Sequence, residues 1–276
     1  MSSRFPELAA IALLAAAGGA AAADAPRELR VCADPDNLPY SQRDGSGFEN
    51  RIARLVADDM GAHLSYFWQE QRRGFVRKTM GAGECDLFIG VPAGFDKVLR
   101  TKPYYRSTYV AVYRSGAQPF TSFDPAQLRQ RRIGVQLIGN DLAASPPGHA
   151  LTRAGATDNV TGFTVYGDGP AAQRMVDAIA AGRIDLALVW GPQAGYFAHR
   201  AAVPMTVVPA AAPAGLPVPF EYAIAMGVRK GDTALRDKLD EIMQRRRADI
   251  DAILAQYQVP RVDRPGQAPA STGGEP

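Results

Sequence analysis

The sequence predicts an α/β protein with two lobes, each a mostly parallel sheet flanked by helices, joined by a double hinge. Three observations predict this class. Strands and helices alternate along the chain, one junction pattern occurs in both halves, and two further strand-like runs separate the halves. Such alternation is typical of a parallel sheet covered by helices.

The first half of the chain alternates strand, helix, strand, helix, strand. Residues 29–34 form a short apolar strand that the turn-forming sequence PDNLPY ends. Residues 49–60 are predicted to be a helix, because apolar residues recur at spacings of three and four, and Gly61 is its stop signal. HLSYFW is then a second strand, residues 74–80 a second helix, and CDLFIGV a third strand.

The second half repeats this order. RRIGVQLIG and TGFTVYG are predicted strands, residues 171–181 a helix, and IDLALVW a strand. Residues 82–87 and 181–186 share the pattern AGxxDL, which favours two similar lobes. Coincidence is the alternative, since junctions of helix, glycine and strand are common in α/β proteins.

Two strand-like runs, TYVAVYR and FEYAIAMGV, connect the halves and predict the double hinge. Lobe 1 is predicted to comprise residues 28–113 plus 221–258, and lobe 2 residues 117–212. The last helix should begin at Asp232, a capping residue, and pack on lobe 1. Residues 260–276, rich in Pro, Gly, Ser and Ala, are predicted to be a disordered tail.

Residues 1–23 read as a signal peptide, because Arg4 precedes an apolar stretch too short to span a bilayer and small residues follow. No lipid-attachment motif precedes Cys32, so we expect the mature protein to be free in the periplasm without a membrane anchor. We also expect it to be a monomer. The net charge of +3 indicates neither nucleic-acid binding nor a membrane-surface patch.

The two cysteines, Cys32 and Cys85, are predicted to form a disulfide. They lie on the first and third strands, which are neighbours about 5 Å apart in such a lobe. The cysteines and the scattered histidines do not make a zinc site, so we expect no metal and no cofactor. Nor does the sequence contain a GxSxG, HExxH or P-loop motif. Asp34 and Asp36 are one alternative as a general acid and base, but loop aspartates usually make turn hydrogen bonds.

A ligand cleft is predicted where the carboxyl ends of the parallel strands from the two lobes face each other. The candidate cleft residues are Asp34, Asn37, Tyr40, Trp68, Arg72, Arg73, Phe75, Gly90, Pro92, Gln136, Asn140, Asp141, Trp190, Gly191 and Tyr196. The alternative is structural: tryptophans at strand ends often pack between elements, and either arginine can pair with Glu70.

At these residues the chain resembles a known family. The strings LRVCADPDNLPYS, GFENRIA, QRRGFVR, CDLFIGVPAGFD, TKPYYRSTYV, RRIGVQLIGND, NVTGFTVYGD and GRIDLALVWGPQAGYF resemble the MxaJ/XoxJ-like periplasmic proteins, which are associated with quinoprotein (PQQ-dependent) alcohol dehydrogenases. The similarity covers residues 29–260. It implies a two-lobed type II periplasmic binding protein fold, as in the solute-binding proteins of ABC transporters. It also implies an accessory role in methanol or other alcohol oxidation, with the dehydrogenase as partner.

One departure from the transporter relatives concerns the ligand. Amino-acid-binding members usually carry an arginine shortly after the strand that matches CDLFIG, and it clamps the α-carboxylate of the ligand. The matching place here is near Gly94, with Arg100 and Arg106 as alternatives, so a small amino acid is a poor candidate ligand.

Three functions therefore remain. The first hypothesis is an accessory protein of the dehydrogenase, which binds either the dehydrogenase or a small ligand. A solute receptor for an ABC importer and a dehydratase-like enzyme that depends on Asp34 or Glu49 are the alternatives.

Overall fold

The computed structural model describes residues 27–138, 143–165 and 169–262. The strands in these residues are β1 (Glu28–Ala33), β2 (Asp36–Asn37), β3 (Ser41–Gln42), β4 (His63–Trp68), β5 (Leu87–Pro92), β6 (Leu99–Arg100), β7 (Tyr105–Arg114), β8 (Ile133–Ile138), β9 (Ala143–Ala144), β10 (Val160–Thr164), β11 (Leu186–Trp190), β12 (Met205–Pro209) and β13 (Glu221–Val228). The helices are α1 (Phe48–Met60), α2 (Phe75–Lys78), α3 (Pro125–Leu128), α4 (Pro146–Arg153), α5 (Ala171–Ala180), α6 (Gly191–His199), α7 (Thr233–Arg245) and α8 (Arg247–Gln256), and a 3-10 turn spans Met80–Ala82.

The main sheet follows the strand order β10-β8-β11-β7-β13-β5-β1-β4, with β12, β6 and β9 paired at its sides. Strand β1 is parallel to β4 and β5, and β8 is parallel to β10 and β11. Strands β7 and β13 run antiparallel to their neighbours. The predicted α/β class is confirmed, but the main sheet is mixed: each lobe has three strands paired in parallel, and the strands that flank them are antiparallel.

Strand β7 passes from one lobe into the other. Its residues 105–108 pair with β13, whereas residues 109–114 pair with β11 and β12. We call the part built on β1, β4, β5 and β13 lobe 1, and the part built on β8, β10, β11 and β12 lobe 2. The residue boundaries predicted for the lobes and for the hinge stay predictions.

Each lobe has its own hydrophobic core. In lobe 1, α1 places Phe48, Ile52 and Val56 against the sheet at spacings of four, and all three are fully buried. In lobe 2, Met175 and Ile179 of α5 pack on one face of the sheet. Burying one large apolar side chain stabilises a fold by roughly 1.5–3 kcal/mol.

The AGxxDL pattern marks the same contact in both lobes. In lobe 1 the Arg30 guanidinium donates two hydrogen bonds to Asp86, at 3.0 and 2.7 Å, and a third to a glycine carbonyl of the pattern. In lobe 2 Arg132 donates in the same way to Asp185, at 3.0 and 2.6 Å, and to the equivalent glycine. This shared arrangement favours a repeat over coincidence.

The predicted helix ends are confirmed where a specific residue sets them. Gly61 adopts the left-handed conformation, with φ of 60°, directly after α1. The Asp232 side chain accepts a hydrogen bond of 3.0 Å from the backbone of Leu235 and caps α7.

Two predicted helices differ from the structure. The second is shorter, because Gly74 has a φ of 85° and Thr79 is not helical, so only the four residues of α2 continue as helix. The last is divided into α7 and α8 at Arg246, whose φ and ψ are −99° and 23°. Arg245 and Arg246 both pair there with Asp59 of α1.

Residues 258–262, here called the C-terminal segment, lie against β7. The Ser107 hydroxyl donates to the carbonyl oxygen of Pro260 at 2.7 Å, and the Val262 amide donates to Arg106 at 3.2 Å. Arg261 pairs with Asp251 at 2.8 Å. The predicted tail began at Pro260, whereas the structure gives these residues defined contacts. Residues 263–276 and the predicted signal peptide, 1–23, lie outside the described residues.

The predicted disulfide between Cys32 and Cys85 is present, with a Cα separation of 5.5 Å. Across the described ranges, no helix has both the length and the apolar character needed to cross a membrane.

Candidate functional site

A cavity of about 700 Å³ opens between the two lobes at the carboxyl ends of β1, β5, β8 and β11. Its size is within the usual range for a small-molecule site. The sequence-predicted residues that line it are Asp34, Asn37, Tyr40, Arg72, Phe75, Gly90, Pro92, Gln136 and Trp190. Predicted cleft residues from both lobes therefore border this cavity.

The structure places four other predicted residues away from this lining. Trp68 stacks on Tyr66 with ring centres 4.6 Å apart, and Arg73 is exposed. Tyr196 stacks on Tyr257 at 5.7 Å, where α6 meets the end of α8. Gly191 lies at the lobe junction, and a Cβ there would be only 2.6 Å from a carbonyl oxygen of β7. The remaining two, Asn140 and Asp141, lie outside the described residues.

Asp34 organises the loops at the cavity rim. Its carboxylate accepts backbone hydrogen bonds from Asp36 at 2.9 Å and from Gln71 at 2.6 Å. The Gln71 side chain in turn accepts from Asn37 at 3.1 Å. These contacts match the structural alternative for loop aspartates. They join the loop after β1 to the loop after β4.

Arg72 lines the cavity and forms an ion pair of 2.7 Å with Glu70, and both side chains are exposed. Exposed pairs of this kind contribute roughly 0–1 kcal/mol to stability. The Arg72 guanidinium at the cavity therefore has the Glu70 carboxylate beside it. This is the pairing that the structural alternative proposed for this arginine.

Trp190 stands at the centre of an aromatic cluster between the lobes. Its ring packs edge-on against Tyr109 at 5.3 Å and against Tyr222 at 5.7 Å. Burial raises the pKa of the Tyr40 phenol, and the Trp190 side chain opposes part of that rise. Tyr40 belongs to lobe 1 and Trp190 ends β11 of lobe 2, and both side chains line the cavity.

Sequence reasoning placed Glu49 only in the dehydratase alternative, but the structure makes it a cavity residue. The half-buried side chain is in the first turn of α1, and within the described part of the chain no hydrogen bond or ion pair reaches its carboxyl. Burial raises the pKa of this carboxyl to about 8. A Cβ on Gly90 would lie 2.1 Å from Glu49 Oε1, so a glycine at position 90 leaves room for the carboxyl.

Sequence reasoning also missed three tyrosines of the hinge strands that line the cavity, Tyr105, Tyr109 and Tyr222. Burial raises the pKa of Tyr105 and of Tyr109, so both phenols are neutral hydrogen-bonding groups. The predicted cleft residues came mainly from the loops after strand ends. These three tyrosines lie instead in the runs that cross between the lobes, and that position in the sequence was the signal that could have identified them.

Within the described ranges, no group of three or more His, Cys, Asp or Glu side chains is arranged to bind a metal ion. Two α/β lobes joined by crossing strands, with a cavity between them, define the class of two-lobed binding proteins.

Comparison with known proteins identifies the family. The model of the bacterial extracellular solute-binding proteins, family 3, matches residues 29–260, and the chain belongs to that family. Protein MoxJ of Methylorubrum extorquens is 32% identical over 254 residues, which cover 84% of this chain and 81% of MoxJ. The crystal structure of the periplasmic binding protein XoxJ from Methylobacterium extorquens has a TM-score of 0.71 at 37% identity, covering 85% of this chain and 99% of XoxJ.

A third relative shares the fold. The crystal structure of MxaJ from Methlophaga aminisulfidivorans has a TM-score of 0.72 at 22% identity and covers 85% of this chain and 100% of MxaJ. The resemblance to MxaJ/XoxJ-like proteins that the sequence motifs predicted is confirmed, and so is the type II periplasmic binding protein fold.

Proposed function

We propose that this chain is a periplasmic accessory protein of a PQQ-dependent alcohol dehydrogenase, such as a methanol dehydrogenase, and that it acts by binding rather than by catalysis. The observation that carries the proposal is its likeness to XoxJ, a periplasmic binding protein, at 37% identity across almost the whole of that chain. The family resemblance read from the motifs supplies the association with quinoprotein dehydrogenases.

The cleft is the proposed binding site, for a segment of the dehydrogenase or for a small ligand. Aromatic side chains from both lobes line it, and such residues dominate the energetics of binding interfaces. An arginine clamp for an amino acid has no support in the lining. Arg100 donates to the Phe95 carbonyl at 2.5 Å, and Arg106 faces Glu221 at 3.9 Å. Neither arginine is among the described residues that border the cavity.

We further propose that the cleft closes by rotation about residues 108–116 and 213–222. Strand β7 and the return to β13 are the two crossings, so the lobes can turn without unpacking either core. Small-angle scattering of the protein with and without its true ligand tests this motion. An unchanged radius of gyration with the ligand bound would contradict it.

The decisive experiment for the function is co-purification from periplasm. The wild-type protein should retain a quinoprotein dehydrogenase, and Phe75→Ala should retain less, because Phe75 lines the cavity. Trp68→Ala is the matched control, since this ring lies outside the lining. Absence of the dehydrogenase, together with normal alcohol oxidation in a deletion strain, would refute the function and return the solute-receptor alternative to first place.

A further inference from the structure

Acidic residues outnumber basic residues in the lining of the cavity. Its described lining contains the carboxyl groups of Asp34, Asp36, Glu49 and Glu70 and a single guanidinium, that of Arg72. The guanidinium is paired with Glu70. The other three acidic residues have no basic residue in the described lining to match them, so the electrostatics favour a positively charged occupant.

Glu49 differs from the two aspartates in its surroundings. Asp34 uses its oxygens in turn hydrogen bonds, and Asp36 is exposed. The Glu49 carboxyl borders the cavity without a hydrogen bond or ion pair from the described residues. A carboxyl enclosed in this way is costly to ionise until a cation arrives. Glu49 is therefore the group with the most to gain from a positively charged ligand.

Rings surround the same space. Tyr40 and Phe75 contribute from lobe 1, Tyr105 and Tyr222 from the hinge strands, and Trp190 from lobe 2. The faces of aromatic rings attract cations, and sites for organic ammonium groups commonly combine several rings with a carboxylate. A metal ion would need several oxygen ligands close together. The aromatic lining favours an organic cation instead.

From the lining we infer that the cleft binds an organic ammonium group, with its positive charge facing the Glu49 carboxylate and the neighbouring rings. This inference rests on the proposed function only in taking the interlobe cleft as the binding site. An α-carboxylate has no evident partner, because Arg72, the one arginine in the described lining, is already paired with Glu70. The ammonium group can belong to a free amine or to a side chain of the dehydrogenase, and the experiment separates these sources.

Binding should depend on pH because Glu49 must lose its proton. The titratable groups that its charge reaches are the phenols of Tyr40, Tyr66, Tyr104 and Tyr105, whose pKa values burial raises, so all four stay neutral. The pKa of Glu49 itself is about 8. Affinity for a permanent cation should therefore rise with pH by at most about tenfold per pH unit, levelling off near pH 8, with release of up to one proton.

The test is calorimetric titration with benzyltrimethylammonium, benzyl alcohol and benzoate as cationic, neutral and anionic probes of similar shape. We expect the cation to bind at least about tenfold more tightly than the alcohol, and benzoate to bind most weakly. Glu49→Gln should abolish the preference and the pH dependence. Glu84→Gln, which changes an exposed carboxyl outside the lining, should retain both.

Equal binding of the three probes, tighter binding of benzoate, no binding of the cation, or an unchanged preference in Glu49→Gln would each overturn the inference. The pH series on the wild-type protein keeps the test valid if the variant fails to fold. Co-purification of the dehydrogenase is measured in parallel. Retained co-purification without ammonium binding leaves the proposed function intact and removes only this inference. If the cation binds and also displaces the dehydrogenase, the ammonium group is the partner's own.

Discussion

Replacing Glu49 with glutamine is expected to stabilise the folded protein at alkaline pH and to have little effect in acid. Burial raises the pKa of this carboxyl from 4.5 to about 8, so between these values the folded protein holds a proton that the unfolded chain has lost. The stability from this group is therefore fully present below pH 4.5, declines as the pH rises, and is lost above about pH 8.

The magnitude follows from the same values. Each pKa unit is worth about 1.4 kcal/mol, so the ionised Glu49 lowers the free energy of unfolding by at most about 5 kcal/mol at pH 9. Water in the cavity reduces this figure, because the carboxyl borders open space. The slope inside the window is at most about 1.4 kcal/mol per pH unit. Glutamine has the same shape and cannot ionise, so it removes the slope.

Urea unfolding of the wild type, Glu49→Gln and Glu84→Gln across this pH range measures the effect. The free energy of unfolding of the wild type should fall relative to that of Glu49→Gln as the pH rises, and should follow that of Glu84→Gln throughout. A constant difference between wild type and Glu49→Gln at every pH would mean that the carboxyl titrates as in the unfolded chain. That result would refute the argument from burial.

Three further changes test packing and cross-links through the free energy of unfolding in urea. Cys85→Ser removes the disulfide, whose cysteines are 53 residues apart, and should cost roughly 2–4 kcal/mol. Gly195→Ala should cost roughly 1–3 kcal/mol, because its methyl group would lie 1.9 Å from a carbonyl oxygen of the C-terminal segment. Gly94→Ala is its control, since nothing lies within 4 Å of a Cβ there. Arg261→Ala removes an arginine that pairs with Asp251, as Arg247 also does, and should cost roughly 2 kcal/mol.

Each of these expectations has a contrary result. An unchanged midpoint for Cys85→Ser, with the wild type oxidised, would mean that the cross-link does not constrain the unfolded chain. Equal stabilities of Gly195→Ala and Gly94→Ala would show that the C-terminal segment can move away from the new methyl group without lowering the free energy of unfolding. A neutral Arg261→Ala would show the same segment to be held by other contacts.

Local patterns predicted the elements whose character is set by their own residues. Strands β1, β5 and β11 are apolar runs between turn signals, and α1 has an apolar face that ends at a glycine. Strand β12 was missed, because MTVVP at Met205–Pro209 is short and is held by antiparallel pairing with β7. That pairing depends on the tertiary fold, which a local pattern does not contain.

The sequence predicted the position of the cavity better than it predicted which residues line it. A strand end identifies the edge of the sheet where ligands bind, but not the direction in which each side chain points. Trp68 and Trp190 both end strands, and only Trp190 lines the cavity. Glu49 and Tyr222 were missed as cleft residues because a helix start and a hinge strand bring them there. Their position depends on how the crossings fold back, which no spacing along the chain reveals.

The strand order has a consequence for how the protein is made. Both cysteines of the disulfide precede β7 in the chain, whereas β13, which lies between β5 and β7 in the sheet, comes after the whole of lobe 2. A chain that emerges from its N-terminus can close the disulfide while lobe 1 still lacks a central strand. Oxidation can therefore secure β1 beside β5 during the interval in which lobe 2 folds, before β13 and the helices α7 and α8 that follow it complete lobe 1.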